Sequence, residues 1–175
     1  EAYRKSNMPN ITLLPPKPLD LNRRPDPFAK PIPVDPSKFN LPHANNWIEV
    51  GASAYKDDEN LKASFSNYGK NNVDVFAPGV RILSTVPDNN KYIEEDGTSM
   101  AAPVVSGLAA LIRSYYPKLT AVQVKEIIMK SVVKVNHSIK TMKGADTVDV
   151  PFADLCVSGG IVNTYNALKL AATYK

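Results

Sequence analysis

Gly97-Thr98-Ser99-Met100-Ala101-Ala102-Pro103, with the run that continues it to Ile112, is the stretch on which both the fold and the chemistry depend. Residues 101–112 carry no charge, and Arg113 is the first ionised side chain after them. A helix apolar on most sides is one buried in a protein core, and this one is too short to cross a bilayer. Pro103 falls in its first turn, where a missing N–H leaves no helical bond unmade. Gly107 costs about 1 kcal/mol against alanine in mid-helix, so it is expected to mark the close approach of another backbone, a strand. A serine hydroxyl is a poor nucleophile until a base takes its proton and donors stabilise the oxyanion. Ser99, at the start of such a helix, has part of that arrangement, because the dipole and the unpaired amides there favour negative charge. Gly97 is expected to let the chain turn sharply, and Ala101 and Ala102 leave room for a substrate. Serine and threonine before a helix are also ordinary N-caps, and the short string by itself reads as one.

Outward from this stretch, residues 47–52 read as a strand and 63–69 as a short loop-borne element. Residues 73–77 form a second strand stopped by Pro78-Gly79, and the alternating run 80–86 a third. Pro117 ends the uncharged helix. Thr120 and Gln123 have the capping-box spacing, and Val124, Ile127, Ile128 and Val132 share a face, which predicts an amphipathic helix over 121–133. A polar connection leads to an extended segment at 148–157. Gly159-Gly160 makes a turn, and Asn163 caps a last helix carrying Tyr165, Leu168 and Ala172. Strands followed by helices predict an α/β fold.

Upstream the texture changes, since residues 1–45 hold ten of the fifteen prolines. Proline restrains itself and its predecessor to extended conformations. The expected organisation is an extended arm over 1–45, with a short strand at 10–14, and a folded part over 46–175. Pro15 and Pro18, like Pro33 and Pro36, have the spacing of SH3 ligands; an arm lying along a larger body is the simpler reading. The 21 basic and 17 acidic residues are interspersed and leave a net charge of +4. That pattern argues against a nucleic-acid or anionic-membrane partner. No apolar run reaches the length of a membrane span. Cys156, the single cysteine, forms no internal disulfide and reads as a small buried hydrophobe between Leu155 and Val157.

The 97–103 string has the form of the active-site serine signature of the subtilisin family (subtilases), and the chain resembles that family well beyond it. Residues 104–111 continue the likeness. Phe65-Ser66-Asn67-Tyr68-Gly69 and Val73-Asp74-Val75-Phe76-Ala77-Pro78-Gly79 resemble the segments that precede the serine there. Residues 119–124 and Gly159-Gly160-Ile161-Val162-Asn163 resemble the segments that follow it, so the likeness covers residues 46–172 in consistent order. The resemblance implies the C-terminal part of a subtilisin-like parallel-sheet sandwich, with a buried helix behind the nucleophile. It implies peptide-bond hydrolysis through an acyl-enzyme on Ser99, whose backbone N–H would be one oxyanion donor, with Thr98 supporting the turn. It further implies a peptide or protein substrate and an extracytoplasmic location (secreted, periplasmic or cell-surface). No cofactor is required for that chemistry. Many subtilases bind calcium, which draws attention to Asp57, Asp58 and Glu59; a solvated acidic turn is the simpler reading, because calcium needs six or more converging oxygens.

In subtilisin the triad runs Asp, His, Ser along the chain, yet the family's Asp-Ser/Thr-Gly and His-Gly-Thr-His strings do not occur here. His43 and His137 resemble nothing catalytic, and Asn22, Asn45 and Asn46 match the family's oxyanion asparagine by position only. The expectation is that this chain supplies the nucleophile while Asp and His come from sequence not present. That sequence would be an N-terminal part of the same peptidase domain, packing around residues 101–112, and the isolated chain would be inactive. The alternative is a truncated or degenerate subtilase acting as a pseudoprotease or binding module. An α/β-hydrolase fits poorly. Ala101 replaces the last glycine of Gly-x-Ser-x-Gly, and His137 precedes Asp146, Asp149 and Asp154, the reverse of the required order.

Overall fold

A computed structural model describes residues 45–174 apart from 88–89 and 144–145. The proline-rich arm, with Asn22, His43 and the strand expected at 10–14, lies outside the described residues, save for Asn45. Two buried parallel strands begin the folded part: β1 (Val50–Ser53) and β2 (Val75–Pro78), registered Val50 to Val75 through Ser53 to Pro78. Neither carries a charge, as suits strands covered on both faces. Next come β3 (Ile82–Val86) and β4 (Lys91–Glu95), an antiparallel hairpin whose residues are largely exposed. The long helix α1 spans Thr98–Tyr115, and α2 spans Ala121–Lys130. After the short β5 (Val133–Lys134), β6 (Ser138–Lys143) and β7 (Asp146–Pro151) make a second hairpin. A 3-10 turn at Phe152–Asp154, β8 (Gly160–Ile161) and α3 (Thr164–Ala171) complete the order.

The main sheet runs β1-β2-β8-β5, with β2 and β8 parallel and β5 antiparallel to β8. Side chains alternate across β2, and the two faces build two cores. Val75 and Ala77, with Ala52, meet Val105, Leu108 and Ile112 of α1, Val124, Ile127 and Ile128 of α2, and Ala167 and Ala171 of α3. Phe76 points the other way, into Leu61, Val73, Ile139, Phe152, Leu155 and Cys156. Its ring lies 5.1 Å from that of Phe152, tilted by 60°, so Cys156 is buried as expected. The architecture is the α/β arrangement anticipated, with helices on one face of a sheet that contains parallel strands.

Several elements depart from the expected bounds. Strand β1 begins at Val50, because the carbonyl of Glu49 is engaged by the Asp74 and Val75 amides and the residues before it pair with no strand. The α2 helix stops at Lys130, short of residue 133, because Val133 pairs with Ile161 instead. Residues 148–157 are not one extended run. The chain leaves β7 at Pro151 and coils tightly so that Phe152, Leu155 and Cys156 all turn inward. The β6–β7 hairpin replaces the polar connection, and β4 has no counterpart in the sequence reading. Both caps hold: Thr120 and Gln123 exchange the two bonds of a capping box, and Asn163 Oδ1 accepts from the Asn166 amide.

The expectation for Gly107 is overturned. Among the described residues a Cβ there would meet nothing within 4 Å, so none of the described strands approaches it. The cause is that α1 is covered along one stripe only, Ala101, Val105, Leu108 and Ile112, spaced four, three and four. Ala102, Pro103, Val104, Ser106, Gly107 and Ala110 are exposed. A helix with the composition of a core helix thus presents a bare apolar flank. Among the described residues no helix is long and apolar enough to cross a membrane.

Candidate functional site

Ser99 is the second residue of α1, after Thr98, and it is exposed. It stands where the parallel strands end, and a relay of backbone bonds ties it there. The Gly79 amide donates to the Ser53 carbonyl at 3.0 Å, and the Gly97 amide to the Gly79 carbonyl at 2.8 Å. Gly97 in turn accepts from Met100 and Ala101 at 3.1 and 3.3 Å, starting the helix. Gly79 has to be glycine for this contact. A Cβ there would lie 2.7 Å from both the Ala52 Cβ and the Gly97 carbonyl oxygen. Gly97 plays a different part from the one expected. Its backbone is extended (φ 162, ψ 158), so the chain enters the helix without a left-handed turn, and the direction is set by the bond to Gly79.

The N-cap position is Gly97, and no side chain caps the helix. Thr98 and Ser99 are therefore residues of the first turn, and the simple N-cap reading of the serine does not apply. The Ser99 amide is one of the first-turn donors that lack an intrahelical acceptor. No acidic side chain stands in that turn, and Arg113 lies in the last one. Within the first turn itself no carboxylate offsets the positive end of the helix dipole.

Three charged groups lie on the segments that lead into this helix. The Arg81 guanidinium donates to the Glu94 carboxylate through Nε at 2.8 Å and Nη2 at 3.3 Å. That hydrogen bond holds the Glu94 carboxyl below the usual carboxylate range and raises the guanidinium above its own. The Arg81 amide donates to Asp96 Oδ1 at 2.6 Å. These residues escaped the sequence reading because β4 did. The signal available was Pro87-Asp88-Asn89-Asn90, a turn string between the alternating run 82–86 and Tyr92-Ile93.

The other candidates lie apart from Ser99 in bonding terms. His137 Nε2 is 3.6 Å from Asp57 Oδ1 and 3.3 Å from the Asp58 carbonyl oxygen. Asp154 pairs with Lys70 at 2.5 Å, while Asp146 and Asp149 are exposed on β7. Among the described residues no hydrogen bond or ion pair joins an acid or a histidine to Ser99. In the acidic turn, Asp58 accepts from the Asn60 amide and Glu59 pairs with Lys140 at 2.8 Å. Among the described residues no three His, Cys, Asp or Glu side chains converge as a metal site. Asn45 and Asn46 are both exposed, and Asn46 lies in a groove between the chain entering β1 and the bare flank of α1, with Ile48, Val50, Ala102, Val105 and Ser106.

Comparison with known proteins bears on the family and the fold. The sequence model of the subtilase family matches residues 29–151. Subtilisin DY of Bacillus licheniformis is 42% identical over 102 residues, covering 58% of this chain and 35% of that protein. Alkaline protease 2 of Aspergillus fumigatus is 38% identical over 147 residues, covering 81% of this chain and 28% of that protein. Among solved structures, fervidolysin from Fervidobacterium pennivorans, a keratinolytic enzyme related to subtilisin, superposes with a TM-score of 0.57 at 28% identity. That match covers 71% of this chain and 19% of fervidolysin. The chain thus spans about a third or less of the length of these relatives.

Proposed function

Because this chain belongs to the subtilase family, we propose that it supplies the nucleophile of a serine endopeptidase, with Ser99 as the attacking residue. The observation that carries the reading is the placement of an exposed serine in the first turn of a helix that no side chain caps, at the ends of parallel strands. A peptide carbonyl placed there meets the Ser99 hydroxyl and a free amide dipole together. Attack by Oγ forms a tetrahedral adduct whose oxyanion accepts from the Ser99 N–H. A histidine takes the hydroxyl proton and returns it to the leaving amine, and an aspartate orients that histidine. Water then releases the acyl group by the same route in reverse.

The histidine and aspartate come from a further portion of the same peptidase domain, outside this chain. The flank of α1 and the groove along Ile48 and Val50 suit such a portion, being apolar and uncovered by the described residues. Exposed apolar surface of this kind marks an interface. The substrate is a peptide or protein, and the location is extracytoplasmic, as the family's enzymes suggest. Replacing Ser99 with alanine in the assembled peptidase is expected to lower kcat by about a thousand-fold or more, as removal of a nucleophile does. Circular dichroism and the melting temperature should be unchanged. Hydrolysis surviving in Ser99→Ala would rule the assignment out.

A further inference from the structure

Ser99 is reached through two residues, Asp96 and Gly97, that are each tied to the segment 79–81 in a different way. Gly97 is tied by its backbone to the Gly79 carbonyl. Asp96 is tied by its side chain, through the 2.6 Å bond from the Arg81 amide to Oδ1. The backbone of Arg81 is unusual, with φ at 55°. That left-handed conformation is disfavoured for a side chain of this size. The only other such non-glycine among the described residues is Asn90, a residue type that tolerates the conformation. Strain of this kind persists where neighbours over-determine it, and it gathers at functional positions. Here the neighbours are identifiable. Glu94 holds the guanidinium, Asp96 holds the amide, and Gly79 stands two residues before Arg81, packed against Gly97.

We propose that Asp96 is a positioning residue for the nucleophile, its carboxylate fixing the direction in which the chain enters α1. The proposal rests on the peptidase reading of Ser99. Residues 79–81 follow directly from β2, whose strand register is anchored in the core. Asp96 and Gly97 together transfer that rigidity to the first turn of the helix. With one tie, Gly97 can pivot about a single hydrogen bond, and the Ser99 hydroxyl moves with it. With two ties at successive residues the pivot is lost. Side-chain positions at a reacting centre matter at this scale, because a misplacement of about 1 Å can cost on the order of a hundred-fold in rate. Asp96 touches neither the hydroxyl nor a substrate carbonyl in this scheme, and it acts through the backbone of residues 97–99.

The experiment compares Asp96→Ala and Asp96→Asn in two settings. In this chain, amide hydrogen exchange is followed at Gly97, whose N–H bonds the Gly79 carbonyl, and at β1, β2 and the later turns of α1. In the peptidase assembled with the portion that completes its triad, kcat and KM are measured. The alanine variant should exchange at Gly97 at least about ten-fold faster while β1 and β2 keep their protection. Its kcat should fall about ten-fold at unchanged KM, consistent with a partial misplacement. The asparagine variant keeps the accepting oxygen and should restore both values. An alanine variant that matches the parent within two-fold in both measurements overturns the proposal. So does an alanine variant whose loss of protection extends equally through β1 and β2, since that is general destabilisation. Failure of the peptidase reading is seen separately, as hydrolysis that survives Ser99→Ala, and it leaves the exchange result standing.

Discussion

Lys62 carries an ammonium into a buried position, paired with no carboxylate among the described residues. Its Nζ donates to the carbonyls of Ala63 at 2.7 Å and Ser66 at 3.2 Å and lies 5.4 Å from the centre of the Tyr68 ring. Burial holds its pKa below the ordinary 10.5. The proton is therefore released more readily from the folded chain than from the unfolded one. Between the lowered value and 10.5 the unfolded state binds more protons, so this group's contribution to stability rises with pH through that window. Measured as urea midpoints, the parent should gain on a Lys62→Met variant as pH is raised from 8 to 10.5; a gap that does not change with pH would contradict this. The residue matters to the site because its loop covers β1, with Ser66 Oγ accepting from the Ala52 amide at 2.9 Å. Single residues were unevenly legible in the sequence. Ser99 stood out as a candidate because its local string and its helix pointed to the same chemistry. Asp96 could not, because its meaning depends on a partner fifteen residues away whose backbone conformation no pattern announces.

Helix caps follow from local rules that tertiary contacts leave alone, whereas helix ends do not, as Val133 leaving α2 to pair with Ile161 shows. The capping box of α2 is an example of the first, with the Thr120 amide bonded to Gln123 Oε1 at 2.8 Å and the Gln123 amide to Thr120 Oγ1 at 3.2 Å. Thr120→Ala should destabilise α2 by about 1 kcal/mol. That corresponds to roughly five-fold faster hydrogen exchange at the α2 amides when they exchange by local opening; unchanged rates would show that packing alone holds the helix. The strands β1, β2 and β3 were legible as elements, β2 from an apolar run stopped by Pro78-Gly79 and β3 from alternation, while β1 and β3 begin later than the expected 47 and 80. The β6–β7 hairpin was not, because its alternation is weak. Thr141 is buried and Met142 exposed, the reverse of an apolar-in, polar-out pattern. The hairpin is held instead from outside itself, by the Lys140–Glu59 pair and by the Tyr68 hydroxyl donating to the Met142 carbonyl at 2.8 Å. The α1 helix shows the converse. Its uncharged composition implied a helix buried on most sides, yet among the described residues only the stripe Ala101, Val105, Leu108 and Ile112 is buried.

At the scale of the molecule, the described residues form a sheet filled on both faces, joined to a helix whose remaining flank is apolar and bare. The two cores are complete in themselves, built around Val75 and Ala77 on one side and Phe76 and Phe152 on the other. The site resembles the flank in being open among the described residues. It offers a hydroxyl, a free amide and a helix dipole, and no described acid or base reaches them. Both facts have one explanation in the proposal that a further portion of a subtilase domain covers α1 and brings the histidine and aspartate to Ser99. Labelling with a fluorophosphonate, with the adduct located by peptide mass, tests this most directly. The account predicts an adduct on the Ser99 peptide in the assembled peptidase, absent from Ser99→Ala and from this chain alone. A folded assembly that takes up no label, or takes it up on another residue, would contradict it.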